Sequence, residues 1–302
     1  MRSSYTVFFL FVLLLPLVTG CDSTSSSELV APKVRVTLDL DGLTPLSEGF
    51  KYQVWARDGF TNIAGETFNI NDTGSYINPS GQVIQPSFVF PVDVTAATAL
   101  FITIEDRRDS DDTPSSTVLM AGDLSSFQAT LSPAHPLAIG SSLTSGGGTF
   151  MLMTPSDGVG GNETSGLWFA TGARSSLSAG LNLPSLPDGW AYEGWVETAD
   201  GQISIGAFQQ MDDHDFSRLY SLPDTPPFPG EDFIQNPPEG FTFPLDLAGA
   251  QVSISVEPFP DDSSQPFGFR ILSGSVPANP ASDTAYALSP DYQAPSGTAR
   301  LF

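Results

Sequence analysis

The side chains best suited to bind a metal ion are four consecutive residues, Asp212, Asp213, His214 and Asp215. Carboxylates and an imidazole are common ligands of divalent cations, and further acids follow in the same segment. These are Asp224, Glu231 and Asp232. However, the acids of a calcium-binding EF-hand loop alternate around a central glycine, and consecutive residues of an extended segment point to opposite sides. The pattern therefore favours a solvated acidic loop, and no cofactor is expected.

Catalytic signatures are missing from the sequence. The chain has two histidines and one cysteine, and it contains no Gly-x-Ser-x-Gly elbow of the kind that carries a hydrolase serine. Glycoside cleavage uses paired carboxylates, yet nothing around Glu193, Glu197 or Glu257 singles these acids out. The glycine-rich stretch 157–161 lacks the lysine and the following helix of a phosphate-binding loop. We therefore expect a protein that is not an enzyme.

The elements that must position any site come in two copies. The segment 42–55, GLTPLSEGFKYQVW, is matched by NLPSLPDGWAYEGW at 182–195, an interval of 140 residues. The correspondence continues downstream with the same order of aromatics, acids and turn residues, which indicates a duplicated domain. The matched pairs are Leu43/Leu183, Leu46/Leu186, Gly49/Gly189, Tyr52/Tyr192, Trp55/Trp195, Phe68/Phe208, Glu105/Glu257, Pro114/Pro266 and Gly122/Gly274.

Four aromatic residues of the second copy, Trp168, Trp190, Tyr192 and Trp195, could form a face on which a sugar or a peptide stacks. Such a face requires rings that are open to solvent. Three of the four have aromatic counterparts in the first copy, and this repetition favours core packing instead. The counterparts are Phe50, Tyr52 and Trp55. We therefore expect these aromatic residues to pack in the core, and a stacking face is the alternative.

Alternating apolar and polar residues predict β-strands. The segment 34–40, VRVTLDL, places its valines and leucines on one face, and 252–256, VSISV, alternates in the same way. With 26 prolines and 28 glycines, turns are frequent and long helices are not expected. The sequence therefore predicts an all-β fold with two tandem β-sandwich-like domains, and a barrel is the alternative arrangement of such short strands.

The repeat also sets the expected domain limits. The second copy contains additional segments before and within its repeat, and insertions of this kind fall in loops that often carry function. The predicted division is a first domain at 32–136, a glycine-rich linker at 137–148, a second domain with insertions at 149–276 and a polar tail at 277–302.

The second copy resembles the C-terminal domain of the anti-sigma-K factor family. The matching segments are Leu183–Gly189 (LPSLPDG), Tyr192–Trp195 (YEGW), Gly206–Phe208 (GAF), Val252–Pro258 (VSISVEP) and Ser264–Pro266 (SQP). The first copy matches less closely because Thr44, Ser47 and Asp106 replace prolines. The resemblance implies a β-rich module outside the membrane. The family's sigma-binding segment and membrane-spanning helix have no counterpart here, so direct inhibition of a sigma factor is not expected.

The N-terminus has the features of a bacterial lipoprotein signal. Arg2 precedes an apolar run at 7–17, and the signal ends in Leu17-Val18-Thr19-Gly20-Cys21, which looks like a lipobox. We therefore predict a signal peptide at 1–20, lipidation of Cys21 and a serine-rich flexible tether at 21–31. Several acyl chains hold a protein firmly on a bilayer, so the chain is expected to be anchored in the bacterial cell envelope, on the periplasmic side or the cell surface.

The charge of the chain limits its partners. It contains 34 acidic and 11 basic residues, a net charge of −23, which repels nucleic acid phosphates and anionic lipid headgroups, so neither is an expected partner. We therefore expect a lipid-anchored binding or sensory module whose partner is an envelope protein or a glycan and not a nucleic acid. The alternative is a structural or glycan-binding surface lipoprotein without a regulatory role.

Overall fold

The computed structural model describes residues 33–158, 160–260 and 263–302. The predicted signal peptide, the tether and the lipidation site Cys21 lie outside these ranges. Residues Pro32–Phe302 form one compact unit.

The first repeat contains eight strands. They are β1 (Arg35–Asp41), β2 (Phe50–Asp58), β3 (Thr61–Ile70), β4 (Tyr76–Ile77), β5 (Ser87–Val89), β6 (Ala99–Asp106), β7 (Val118–Asp123) and β8 (Gln128–Leu131). The alternation predicted for the first strand is present, because Val36 and Leu38 are buried while Arg35 and Asp39 are exposed. Strands β4-β3-β2-β6-β7 form one sheet in that order.

The second repeat and the residues after it contain twelve strands. They are β9 (Gly147–Leu152), β10 (Leu167–Trp168), β11 (Ala170–Ala173), β12 (Ser176–Ala179), β13 (Leu181–Asn182), β14 (Trp190–Thr198), β15 (Gly201–Phe208), β16 (Gly230–Glu231), β17 (Gln251–Pro258), β18 (Arg270–Ser275), β19 (Ala285–Gln293) and β20 (Ser296–Leu301). The described helices are short 3₁₀ turns at Ser141–Ser145, Pro155–Asp157 and Glu163–Ser165.

The duplication is visible in the strand order. In the first repeat β3-β2-β6-β7 are neighbours, and in the second repeat β15-β14-β17-β18 are neighbours in the corresponding order. The second sheet then continues through β19, β9, β10 and β16. The all-β prediction is confirmed, with sheets packed in the manner of a sandwich.

The two repeats share one hydrophobic core. A single cluster of buried side chains contains Val54 and Ile102 of the first repeat together with Tyr192 and Ile254 of the second. The turns that precede β2 and β14 also reach across to the other repeat. Gly268 N donates to Thr44 Oγ1 at 2.8 Å, and Thr117 Oγ1 donates to Gly189 O at 3.3 Å. The repeats are therefore two lobes of one compact unit, joined at the end of the first lobe where β2 begins.

Two segments differ from the predicted division of the chain. The predicted linker 137–148 contains Ile139 and Leu143, which are buried in the core, and its last residues begin β9. The predicted polar tail 277–302 forms β19 and β20. Strand β20 completes the four-stranded sheet β5-β1-β20-β8 of the first lobe, where Ala299 and Leu301 are buried. Both segments gain order from distant partners, a contribution that local polarity does not reveal.

Candidate functional site

A buried chain of hydrogen bonds crosses the sheet of the second lobe. Trp195 Nε1 donates to Ser255 Oγ at 2.9 Å, and the Ser255 hydroxyl donates to Glu257 Oε1. Both carboxylate oxygens of Glu257 accept the backbone N–H of Phe267 at 3.0 Å. Phe267 lies in the loop that joins β17, which ends at Pro258, to β18, which begins at Arg270. The carboxylate therefore fixes that loop to the sheet.

The first lobe repeats this arrangement. Trp55 Nε1 donates to Thr103 Oγ1 at 2.8 Å, and the Thr103 hydroxyl donates to Glu105 Oε1. Glu105 in turn accepts the backbone N–H of Ser115 at 3.0 and 3.2 Å. Burial raises the pKa of Glu105 above its ordinary value. A buried carboxylate is costly unless donors bind it, and both acids have such donors. We therefore assign a structural role to Glu105 and Glu257.

The predicted stacking face does not form. Trp168, Trp190 and Tyr192 are fully buried, and Trp195 is 1% exposed. The Tyr192 hydroxyl donates to Pro184 O at 2.7 Å, and burial raises the tyrosine pKa. Rings enclosed on both faces have no surface to offer a sugar or a peptide. The core-packing interpretation of these aromatics is therefore the one that the structure supports.

The four candidate metal ligands at 212–215 differ in burial. Asp212 and Asp213 are exposed, whereas Asp215 is 4% exposed. Asp215 Oδ1 accepts the N–H of Ser217 at 2.9 Å, and Oδ2 accepts the N–H of Gly230 at 3.0 Å. Across the described ranges, no three His, Cys, Asp or Glu side chains come together in a way that could hold a metal ion.

Two more buried acids, Glu231 and Asp232, lie between β15 and β17. Their carboxylates also accept hydrogen bonds from protein donors. Glu231 accepts Leu219 N at 2.8 Å and Ser221 Oγ at 2.6 Å. Asp232 accepts Trp168 Nε1 at 2.7 Å. Both acids were weighed as neighbours of a possible metal ion, but in the structure their carboxylates hold loop residues in place.

Burial sets the ionisation of this acidic network. Desolvation raises the pKa of Glu231 to about 7, and the neighbouring charge of Asp215 adds to that effect. Desolvation likewise raises the pKa of Asp215 and of Asp232. A pKa near 7 would suit a general acid or base, but Glu231 has no solvent-exposed surface through which a substrate could reach it. The network is therefore suited to holding a loop and not to catalysis.

The loop held by this network presents two exposed apolar side chains, Phe216 (57% exposed) and Leu219 (59%). Hydrogen bonds hold the backbone N–H groups of this loop in place. Phe216 N donates to Ala207 O at 2.8 Å, Ser217 N to Asp215, and Leu219 N to Glu231. Because both apolar residues are pinned to buried carboxylates or to the sheet, they form a preorganised surface.

A depression of about 350 Å³ lies beside these apolar residues. Phe216 and Phe259 form one wall with ring centroids 5.0 Å apart, and Leu219 also contributes to the lining. Glu193, which is 7% exposed and accepts the Ser204 hydroxyl, is part of the same lining. This surface was not predicted from the sequence. Its signal was the recurrence of apolar Phe216, Leu219 and Leu222 within the polar segment between β15 and β16.

A second cavity, of about 290 Å³, lies on the first lobe between Lys51 and Arg107. Two cations at one cavity could attract an anion. However, Lys51 Nζ donates to Asp109 O at 2.6 Å, and Arg107 donates to Pro79 O at 2.8 Å. These side chains bind loop carbonyls, so the cavity is a weaker candidate than the apolar surface of the second lobe.

Two further findings bear on function. Within residues 33–158, 160–260 and 263–302, no helix is long and apolar enough to cross a bilayer. Comparison with protein-family models, with curated proteins and with solved structures finds no match to this chain.

Proposed function

We propose that this chain is a non-enzymatic binding module of the bacterial cell envelope, anchored through lipidated Cys21. Its contact surface comprises Phe216, Leu219 and Phe259 on the second lobe. The observation that carries the proposal is the exposed pair Phe216 and Leu219, which buried carboxylates hold in place. The resemblance of this lobe to the extracytoplasmic domain of anti-sigma-K factors supports a sensory role.

Preorganisation makes these side chains suitable for binding. An apolar side chain that leaves water on binding contributes about 1.5–3 kcal/mol, but ordering a flexible loop offsets much of that gain. Here the loop is already fixed by Asp215 and Glu231, so little ordering remains to oppose binding. Aromatic residues commonly dominate the affinity of a protein contact, and this surface presents Phe216 packed against Phe259, with ring centroids 5.0 Å apart.

The chemistry of the surface favours a protein partner. Sugar-binding sites rely on open aromatic rings combined with hydrogen-bonding groups, whereas the tryptophans described here are buried. A leucine beside two phenylalanines complements an apolar protein surface. The partner is therefore an envelope protein, and the structural or glycan-binding role is the competing outcome of the test.

In-cell photocrosslinking tests this function. A photoreactive amino acid replaces Leu219 in one tagged chain, and Ala287, an exposed residue of β19, in the matched control. We expect one reproducible envelope protein to crosslink from position 219 alone, with loss of the crosslink in a Phe216→Ala background. Equal crosslinking from both positions, or none from position 219, would overturn the proposed contact surface.

The anchor is tested separately by metabolic labelling with a fatty acid analogue. We expect the wild-type chain to incorporate the label and to fractionate with membranes. The Cys21→Ser variant should do neither. Labelling that persists in this variant would contradict lipidation at Cys21.

A further inference from the structure

The free end of the first lobe, opposite the junction with the second lobe, exposes large aromatic residues. Phe60 is fully exposed, and Phe127 and Phe302 are 52% and 68% exposed. In the second lobe the residue that corresponds to Phe60 at the hairpin tip is Asp200, which is also exposed. The apolar hairpin tip is therefore particular to the first lobe.

Backbone hydrogen bonds connect these positions into one surface. Arg57 O, three residues before Phe60, accepts Thr98 N at 2.7 Å, and Thr98 O accepts Leu124 N at 2.8 Å. Leu124 precedes the tight turn that carries Phe127. These residues lie at the end of β2, the start of β6 and the end of β7. The antiparallel pairing of the three strands places these strand ends side by side, at one end of the sheet.

The C-terminus completes this end. Phe127 O accepts Leu301 N at 2.9 Å, and Phe302 exchanges two backbone hydrogen bonds with Arg35, at 2.8 and 3.2 Å. Arg35 begins β1, the first strand after the predicted tether. We call the surface formed by Phe60, Phe127 and Phe302 with the adjacent cations the end face.

The turn that presents Phe127 is strained. Ser126 and Phe127 have φ angles of +51° and +64°, a left-handed pair that hairpin turns usually assign to asparagine and glycine. A bulky residue in this conformation is unfavourable, and such outliers often occur at functional positions. The turn holds the Phe127 ring out towards solvent, although a smaller residue would fit the backbone better.

The end face also concentrates positive charge. Four of the ten lysines and arginines in residues 33–302 belong to it, within a chain of net charge −23. They are Lys33, Arg35, Arg57 and Arg300. The Arg300 guanidinium lies over the Phe302 ring, 5.3 Å from its centroid. The acids at this end are Asp58, Asp93 and Asp123, together with Glu66, whose carboxylate accepts Val89 N at 2.9 Å beside Arg35. The end face is therefore close to neutral, whereas the whole chain is strongly anionic.

We propose that the end face lies against an anionic bilayer, with its phenylalanines in the headgroup region and its cations on lipid phosphates. The inference rests on the proposed lipid anchor. Residues 22–32, fully extended, reach at most about 40 Å, so an anchored Cys21 keeps Lys33 close to the bilayer. Apolar side chains beside cations are the combination that peripheral membrane surfaces use, and a second contact of this kind reinforces an acyl anchor.

This placement gives the molecule an orientation. The second lobe joins the first at the opposite end of β2, where Thr44 contacts Gly268. The nine residues of β2 span about 30 Å. A first lobe standing on its end face would therefore hold the second lobe and its contact surface about 30 Å from the headgroups.

Site-specific fluorescence on the full lipidated chain tests the proposal. Cys21 is the only cysteine and its sulfur carries lipid, so Phe60→Cys supplies one thiol for an environment-sensitive fluorophore. Asp200→Cys is the matched control at the corresponding hairpin of the second lobe. Both proteins are reconstituted into phosphatidylcholine vesicles with and without phosphatidylglycerol, and a lipid-attached quencher is added.

We expect the lipid-attached quencher to reduce emission at position 60 several-fold more than at position 200. Phosphatidylglycerol should increase the difference, and salt should reduce it. Flotation of the vesicles separates the two proposals. A chain that fails to float overturns the anchor, and with it the end-face proposal that rests on the anchor, while the contact surface of the second lobe is still decided by crosslinking. A chain that floats with equal or no quenching at the two positions overturns the end face alone.

Discussion

Glu105 and Glu257 occupy the same position in the two lobes, and each accepts a backbone N–H from the loop that follows its own strand, that of Ser115 in one case and of Phe267 in the other. In each lobe a tryptophan donates to a hydroxyl group on the strand that carries the acid, and that hydroxyl donates to the carboxylate. Repetition of a buried polar network across both lobes shows that the duplicated unit conserves its internal bonding as well as its strand order.

Removing the bridging hydroxyl tests the twin networks. Thr103→Val keeps the side-chain shape but leaves Trp55 Nε1 without its acceptor and Glu105 without one donor. We expect the free energy of unfolding to fall by about 1–3 kcal/mol, because a buried polar group that loses a partner keeps its desolvation cost. Ser255→Ala should have a similar effect in the second lobe. Urea denaturation monitored by tryptophan fluorescence measures both.

The control for these variants is Thr130→Val, an exposed threonine of β8. It should change stability by less than about 0.5 kcal/mol. If Thr103→Val and Thr130→Val behaved alike, the tryptophan–hydroxyl–carboxylate network would contribute nothing to stability.

The glycine pair Gly122 and Gly274 is required by close strand packing. A Cβ added at Gly274 would lie 2.6 Å from Ala287 O, and one added at Gly122 would lie 2.1 Å from Thr130 O. We expect Gly274→Ala to destabilise the protein by about 1–3 kcal/mol, since the neighbouring strand must move. Thermal unfolding compares it with Gly147→Ala, where an added Cβ meets no atom within 4 Å. Equal melting temperatures for the two variants would contradict this account.

The raised pKa of Glu231 predicts a pH-dependent stability. Its ordinary pKa of 4.5 applies to the unfolded chain, and its pKa in the fold is about 7. Between these values the folded state binds more protons than the unfolded state, so the free energy of unfolding falls as pH rises. The fall is at most about 3 kcal/mol, at about 1.4 kcal/mol per pH unit. Asp215, whose pKa is also raised, acts in the same direction.

Urea denaturation at a series of pH values between 4.5 and 7 measures this slope. We expect Glu231→Gln to flatten it, because the amide does not titrate. The control Glu239→Gln changes an exposed acid in the segment between β16 and β17 and should keep the wild-type slope. Parallel curves for wild type and Glu231→Gln would show that another group sets the pH dependence.

The sequence predicted those features that local pattern determines. Alternation in β1 and the repeated aromatics of β2 and β14 identified an all-β duplicated fold, because burial on one sheet face leaves a period of two. The apolar surface at Phe216 and Leu219 was not predicted. Its geometry depends on Glu231, which accepts Leu219 N from twelve residues earlier, and on the burial of Asp215, and neither follows from the local sequence.

The segment 296–301 is a second feature that the local sequence does not predict. Residues 296–301 are small or polar apart from Leu301, so nothing in their sequence distinguishes a core strand from a tail. Their partner is β1, which lies more than 250 residues earlier, where Leu38 pairs with Ala299. Only the paired strand explains why a polar segment is ordered.

A substitution in β20 tests whether this segment is structural. Ala299 is fully buried between β1 and β8, so Ala299→Asp would place a carboxylate in the core without a partner. We expect a loss of at least about 3 kcal/mol or failure to fold, because an isolated charge is costly to bury. Ala287→Asp, on the exposed side of β19, is the matched control and should stay folded. Circular dichroism and urea denaturation distinguish them. Wild-type stability for Ala299→Asp would mean that 296–301 is a dispensable tail and not an inner strand of the four-stranded sheet.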